Sequence, residues 1–282
     1  MQDKNYIFFS EPYGHQREAF DASADAQNFA LLLDMGTGKT KVTLDTVAYL
    51  SEKSAIEFVL VVAPKGVISN WRGEIETHLP PRIGREVVLW NPSLSKQRRE
   101  ELNDLHTKSN DLKFLLMNVE AFSTNKGVDV AEIFVNRFKT FMVVDESTTI
   151  KNRKAKRTKS LCAVGRGAVY RRILTGSPVT RSPLDLFSQM AFLNPAILGF
   201  NSFYAFQGRY SVVQRRTMGA HSFNQVVGFR RLDELTEKLS EHSYRVKKED
   251  CLDLPDKVYT KRTVALTPEQ QKAYQQMKKL AL

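Results

Sequence analysis

The stretch from Leu31 to Thr46, LLLDMGTGKTKVTLDT, most constrains what this chain can fold into. The apolar run from Phe29 to Leu33 has the length and flanking breakers of a buried strand. Gly36 and Gly38 then open the chain, and Lys41 to Leu50 continues with helical spacing. The reading is strand, loop, helix. Glycines at 36 and 38 permit backbone angles that turn several N–H groups, those of Thr37 and Gly38 among them, toward one concave side, where the positive end of the following helix also points. Such a nest suits a polyphosphate. Lys39 adds a point charge for the β and γ phosphates, and Thr40 a hydroxyl where a magnesium ion bridging those phosphates sits. The full pattern GxxxxGKS/T is not met, because Leu33 holds its first glycine position; a plain glycine turn before an amphipathic helix is the alternative.

With 282 residues, 42% of them hydrophobic, the chain is long enough for one or two domains with a substantial core. Its 42 Lys and Arg against 31 Asp and Glu give a net charge of +11, which favours a polyanionic partner, nucleic acid being the commonest. Cys162 and Cys251 lie far apart with no metal-type spacing, which fits a reducing compartment. The N-terminus lacks the apolar core of a signal peptide, and no stretch approaches the length of a membrane span. The chain reads as intracellular, cytoplasmic in a bacterium or an infected host cell and nuclear in a eukaryote.

Pro12 to Ala26 suits a short helix ahead of the loop. Its Gln16 carries an amide able to match the N6 and N7 edge of adenine, although alone such a residue reads as surface. Phe58 to Ala63 is uniformly apolar, as a strand buried on both faces should be, and it runs into PKGVISNW. That order puts Lys65, Ser69 and Asn70 at the carboxyl edge of a sheet. Strand-like runs follow at Glu86 to Trp90, Lys113 to Met117, Thr140 to Val144 and Tyr170 to Leu174, and Ser95 to Thr107 suits a helix. This βα repetition predicts an α/β fold with a mostly parallel sheet and helices on both faces.

The strand at Thr140 to Val144 delivers Asp145 and Glu146. Two adjacent carboxylates at the end of an apolar strand are costly to bury without a cation. In a phosphate-loop enzyme Asp145 holds the magnesium ion through its water shell, and Glu146 orients the water that attacks the γ phosphate. Lys151, Arg153, Lys154, Lys156, Arg157 and Lys159 follow, read as one strongly basic helix that faces an anionic partner or solvent. TGSP at 175 to 178 brings Thr175 and Ser177 to the same edge of the sheet.

GTGKT, PKGVISNW, DESTTIKNRKAK and LTGSP, in this order, resemble the first motor lobe of superfamily 2 helicases, most closely the Swi/Snf-type translocase branch. FLNPAILG and RVKKEDCLDLPDK add to the likeness. The resemblance implies a RecA-like fold and an ATP- and magnesium-dependent motor on double-stranded DNA, acting on a possible protein cargo, with no membrane partner. It carries over Gln16 as the adenine contact, Gly36, Thr37, Gly38, Lys39 and Thr40 as the phosphate and magnesium loop, and Asp145 and Glu146 as argued above. Thr175 and Ser177 would couple nucleotide state to DNA grip, while Lys65, Asn70, Asn118 and Lys151 would touch DNA. Two departures stand out: Thr148 occupies the position of the family's usual histidine, and no second phosphate-type βα series follows residue 178.

The implied organisation is a first RecA-like lobe at 1–182, a helical protrusion at 183–245 and a connector at 246–282 toward a second RecA-like lobe of the same full-length protein. FQGRYSVVQRR lies within that protrusion, with Phe200, Phe203, Tyr204, Phe206 and Tyr210 as its small aromatic core. Thr267, Pro268 and Gln270 mark a helix start, and the chain stops inside that helix. The readings left open are a strand-separating helicase, a restriction-enzyme motor subunit and a nucleic-acid-binding module with vestigial ATPase.

Overall fold

Strands that are apolar along their whole length have to be covered on both faces, and this requirement organises the fold. The computed structural model describes residues 6–93, 100, 102, 104, 105, 109–218, 221–251 and 260–280. In the unit Met1–Cys251, β1 (Asn28–Leu33), β2 (Phe58–Ala63), β3 (Arg85–Leu89), β4 (Leu112–Asn118), β5 (Thr140–Asp145), β6 (Tyr170–Leu174) and β9 (Ser243–Val246) form one sheet in the order β3-β4-β2-β5-β6-β1-β9. Every pairing in it is parallel. Leu31 and Asp145 both pair with Leu174, so β5 and β6 finish level while β1 runs two residues further, and all three end at one edge of the sheet.

Alternate residues of each strand feed two cores. Leu31, Leu33, Val61, Phe114 and Val143 meet α1 (Gly14–Ser23), α2 (Lys39–Glu52) and α3 (Lys65–His78) on one face. Leu32, Leu60, Met117 and Val144 meet α4 (Asn125–Arg137), α5 (Lys156–Gly165), α6 (Leu186–Leu193) and α7 (Phe203–Tyr210) on the other. Phe206 and Tyr210 of α7 and Leu235 of α8 (Leu232–Ser240) belong to that second core, so residues after 182 pack continuously with the sheet.

Within 183–245, the helices are joined by an antiparallel hairpin, β7 (Ser211–Met218) with β8 (His221–Phe229), where the sequence suggested helix alone. The β-branched residues Val212, Val213 and Thr217 around Arg215 and Arg216 favour a strand, a signal masked by the aromatic cluster just before it. The basic run also divides: Lys151 to Ala155 is not helical, and α5 begins only at Lys156. The helix expected at 95–107 lies largely outside the described residues.

One buried cation ties α1 to the sheet. Arg172 of β6 is 1% exposed, and its guanidinium donates to the carbonyls of Ser23, Ala26, Gln27 and Arg171 at 2.6–3.2 Å. Burial draws its pKa down to about 9, so it is still charged at neutral pH, where it satisfies carbonyls left open at the end of α1. In the separate unit Leu252–Leu282, α9 (Pro268–Leu280) opens with the expected reciprocal cap: Gln270 N–H donates to Thr267 Oγ1 at 3.3 Å and Thr267 N–H to Gln270 Oε1 at 3.1 Å. Among the described residues, no helix is long and apolar enough to cross a membrane.

Candidate nucleotide site at the carboxyl edge of the sheet

The loop after β1 adopts the backbone its glycines permit. Gly36 and Gly38 have φ of +81° and +87°, angles that a side chain strains. A Cβ on Gly38 would also lie 2.2 Å from Gln16 Nε2. Gln16, on α1, is buried and works as a strut: its Oε1 accepts from Tyr13 N–H at 3.1 Å and its Nε2 donates to the Thr37 carbonyl at 3.3 Å. His15 Nε2 lies 2.9 Å from that same oxygen. The loop is thus held from α1 and opens on a cleft of about 470 Å³ lined by Tyr13, Gln16, Gly36, Gly38, Lys39 and Thr40.

Lys39 begins α2 and is only 9% exposed. Its ammonium folds back onto the Leu33 and Asp34 carbonyls at 3.0 and 3.4 Å. Neutral acceptors leave this charge only partly compensated, as expected of a group kept for an anion.

Across the sheet edge, Asp145 ends β5 with its carboxylate held at both oxygens. Trp71 Nε1 donates to Oδ2 at 3.0 Å, and the Glu146 N–H donates to Oδ1 at 2.9 Å. Burial raises the pKa of Asp145, with Trp71, the Glu146 amide and the nearby Lys39 charge pulling the other way. Glu146 is also raised, first by burial and then by its neighbour Asp145, while Lys39 lowers it. Lys39 therefore acts electrostatically on both carboxylates from the loop side of the same sheet edge. Glu146 has φ +47°, a left-handed conformation costing a non-glycine residue roughly 1–3 kcal/mol, and such strain gathers at functional sites.

Asp145 lends itself to a test through pH. Its folded pKa lies above the ordinary 3.8, so the folded protein holds the extra proton between the two values, and stability declines as pH rises through that window. Asp145→Asn keeps an oxygen for Trp71 and carries no charge to desolvate. Urea unfolding across that window is expected to show stability falling with rising pH in the parent and a smaller fall in the variant, which has no carboxyl there to ionise.

The TGSP loop packs directly on the phosphate-type loop. Its Gly176 passes so near that an added Cβ would lie 3.1 Å from Asp34 Cα and 3.3 Å from the Leu33 carbonyl oxygen. Thr175 is buried and its Oγ1 accepts from Ser177 N–H at 3.2 Å; Ser177 itself is exposed. A second link joins this loop to the carboxylates. Buried Ser147 donates to Gln189 Oε1 at 2.6 Å, and Gln189 Nε2 donates to the carbonyls of Pro178 and Asp185 at 2.7 and 2.9 Å.

Residues 15–282 match the model of the SNF2-related domain. The chain belongs to this family. It is 29% identical over 257 residues to the SWI/SNF chromatin-remodeling complex subunit snf22 of Schizosaccharomyces pombe, a match covering 89% of this chain and 14% of that protein. It is 30% identical over 189 residues to the probable ATP-dependent DNA helicase CHR23 of Arabidopsis thaliana, covering 64% of this chain and 16% of that one. The chain thus spans less than a fifth of these curated relatives. In fold it is similar to the Sulfolobus solfataricus SWI2/SNF2 ATPase core solved in complex with dsDNA, with a TM-score of 0.66 and 24% identity over 98% of this chain and 53% of that one.

In this SNF2-related chain, the remaining expected contacts lie around the same edge but outside the carboxylate cluster. Lys65, Ser69 and Asn70 are exposed on α3, whose buried Trp71 reaches Asp145. Asn118 ends β4, and its buried Oδ1 has no hydrogen-bond partner among the described residues. Lys151 Nζ donates to Thr180 Oγ1. Trp71, Ser147 and Gln189 went unnoticed in the sequence, although Trp71 stands at the end of the PKGVISNW motif itself. Among the described residues, no cluster of three or more His, Cys, Asp or Glu side chains is placed to hold a metal. A magnesium ion at Thr40 and Asp145 would accordingly draw its other ligands from phosphate and water, as this ion usually does.

Proposed function

We propose that this chain is the ATP-binding first lobe of a motor that hydrolyses ATP and moves along double-stranded DNA. The observation that carries this reading is the convergence of Lys39, Asp145 and Glu146 at one sheet edge in an SNF2-related chain. Backbone N–H groups from Gly36 to Gly38 and the start of α2 hold the phosphates, and Lys39 exchanges its two carbonyl acceptors for β and γ oxygens. Gln16 borders the cleft where adenine would sit. Thr40 and Asp145 hold magnesium, which when bound neutralises charge developing on the phosphoryl oxygens. Trp71 and the Glu146 amide keep the Asp145 carboxylate oriented toward the cation. Glu146, whose carboxylate is partly buried beside Asp145, orients and polarises the attacking water.

Lys65, Asn70, Asn118 and Lys151 are proposed to contact the DNA backbone, with residues 1–182 as the lobe, 183–245 as its protrusion and 246–282 leading to a second RecA-like lobe that completes the ATP site. Support for a duplex track comes from the Sulfolobus core, solved in complex with dsDNA. The name of the snf22 relative supports a protein–DNA complex as cargo. Such a motor works where the DNA is, in the bacterial or infected-cell cytoplasm or in a nucleus. The test is ATP hydrolysis by the protein carrying both lobes, with duplex and with single-stranded DNA, beside a fork-opening assay. Stimulation by duplex without strand separation supports the reading; stimulation by single strands with fork opening replaces it with a helicase.

Thr148 stands where the family usually has histidine, and the Ser147–Gln189–Pro178 bridge is proposed to link the carboxylates to the TGSP loop in its place. Gln189→Leu keeps the volume and breaks the bridge. Basal hydrolysis is expected to stay near the parent's while duplex stimulation falls about tenfold, the size of a coupling of 1–2 kcal/mol. Ser147→Ala is expected to act in the same direction.

A further inference from the structure

We propose that the hairpin β7–β8 is a second duplex-binding surface, a two-stranded ribbon that enters a DNA groove. Its strands, eight and nine residues long, extend roughly 25 Å at about 3.3 Å per residue. The base is fastened to the core. Tyr210 is fully buried and its hydroxyl donates to Glu234 at 3.0 Å; Ser211 Oγ donates to the Gln207 carbonyl at 2.5 Å; Arg230 donates to the Gly208 and Arg209 carbonyls at 2.7 and 3.2 Å. Beyond this base the described side chains are exposed on both faces, apart from half-buried Val226 and Gly228. A two-stranded hairpin standing free in water is marginal, so an anchored one with bare faces points to a partner.

The chemistry of the ribbon selects duplex DNA. From Ser211 to Leu232 the sequence holds no Asp or Glu and carries Arg215, Arg216, Arg230 and Arg231. No acidic side chain pairs with Arg215 or Arg216 among the described residues. These two are successive residues of one strand and project to opposite faces, so both sides of the ribbon are positive. The register sets Gln214 beside Gln225, Arg215 beside Asn224 and Arg216 beside the exposed Phe223. Arginine, asparagine and glutamine are the side chains that match purine edges in the major groove, whose width admits a two-stranded ribbon. The same residues offer phosphate contacts at its rim.

This inference rests on the duplex-tracking reading above, and the experiment separates the two. Fluorescence anisotropy of a labelled 20-base-pair duplex, titrated at several salt concentrations, compares the protein with its Arg215→Ala/Arg216→Ala variant. Both side chains are exposed, and unchanged binding of a fluorescent ATP analogue confirms that the variant is folded. The expected result is about a tenfold loss of duplex affinity and a log K against log salt slope shallower by up to about 1.8, at 0.9 for each of two phosphate contacts. Duplex affinity and slope equal to the parent's overturn the inference and leave the tracking reading intact. So does a variant whose only change, by sedimentation, is loss of self-association. A parent that binds no duplex overturns both.

Discussion

Replacing Lys39 with alanine is expected to lower the affinity for magnesium-ATP by about 100-fold and to bring hydrolysis to background, with the fold intact. The magnitude follows from the position of the ammonium, which is almost fully buried and bonded to two neutral carbonyls. A charged donor under those conditions gains strongly when phosphate oxygens replace the carbonyls. Charge-assisted bonds contribute roughly 1.5–3 kcal/mol each, so two of them account for a factor of this size. Alanine also removes the charge that lowers the pKa of both carboxylates, leaving Glu146 and Asp145 more readily protonated. Thermal unfolding should move little, because a buried ammonium contributes little net stability to an empty site. Titration of a fluorescent nucleotide measures the affinity, and a variant that binds as tightly as the parent removes Lys39 from the phosphate site.

Glu146→Gln is expected to separate binding from chemistry. Glutamine keeps the size and an acceptor oxygen but is not a base, and general-base contributions run to about 10²–10⁴ in rate. We expect hydrolysis about 10³-fold slower and nucleotide affinity within about threefold of the parent. Glu146 sits in a left-handed backbone conformation just past the strand end, while the adjoining Asp145 is held by Trp71 and an amide. This division assigns the ion to the fixed carboxylate and the water to the freer one. Single-turnover measurements at saturating nucleotide check it; equal loss in Glu146→Gln and Asp145→Asn of both binding and rate would remove the division.

Most of the sheet was legible because its strands are uniformly apolar. β2 and β6 fall on the expected residues, and β1, β3, β4 and β5 are displaced at their ends by a residue at most. β9 was not, since SYRV is short, polar at two of four positions and only one residue is fully buried, as befits the edge beside β1. Lys39, Asp145 and Glu146 stood out because charge beside glycine and apolar runs has few structural uses, whereas Gln16, which alone reads as surface, was singled out only by the family resemblance. Arg172 did not stand out, since a charged residue in a strand reads as surface until the carbonyls that receive it are known. Trp71, Ser147 and Gln189 act through contacts between elements 42 and 74 residues apart in sequence, which no local pattern encodes.

The departure at Thr148 and the bridge through Gln189 belong together. Thr148 lacks the imidazole of the family's usual histidine, so a link from the carboxylates to the TGSP loop is proposed to run through another residue. Here the reach comes from α6, which puts a buried amide between the two loops. Both loops therefore rest on one helix that also carries Met190, Phe192 and Leu193 into the core.

The Gly36 to Thr40 loop and the Asp145 and Glu146 strand end are proposed to form a single magnesium-nucleotide site. Its most direct test is equilibrium binding of a fluorescent ATP analogue with and without magnesium, in the parent and in Lys39→Ala and Asp145→Ala. Binding is expected to tighten with magnesium in the parent, to lose that magnesium dependence in Asp145→Ala and to be largely lost in Lys39→Ala. Nucleotide affinity that is unaffected by magnesium, or by either substitution, would contradict it.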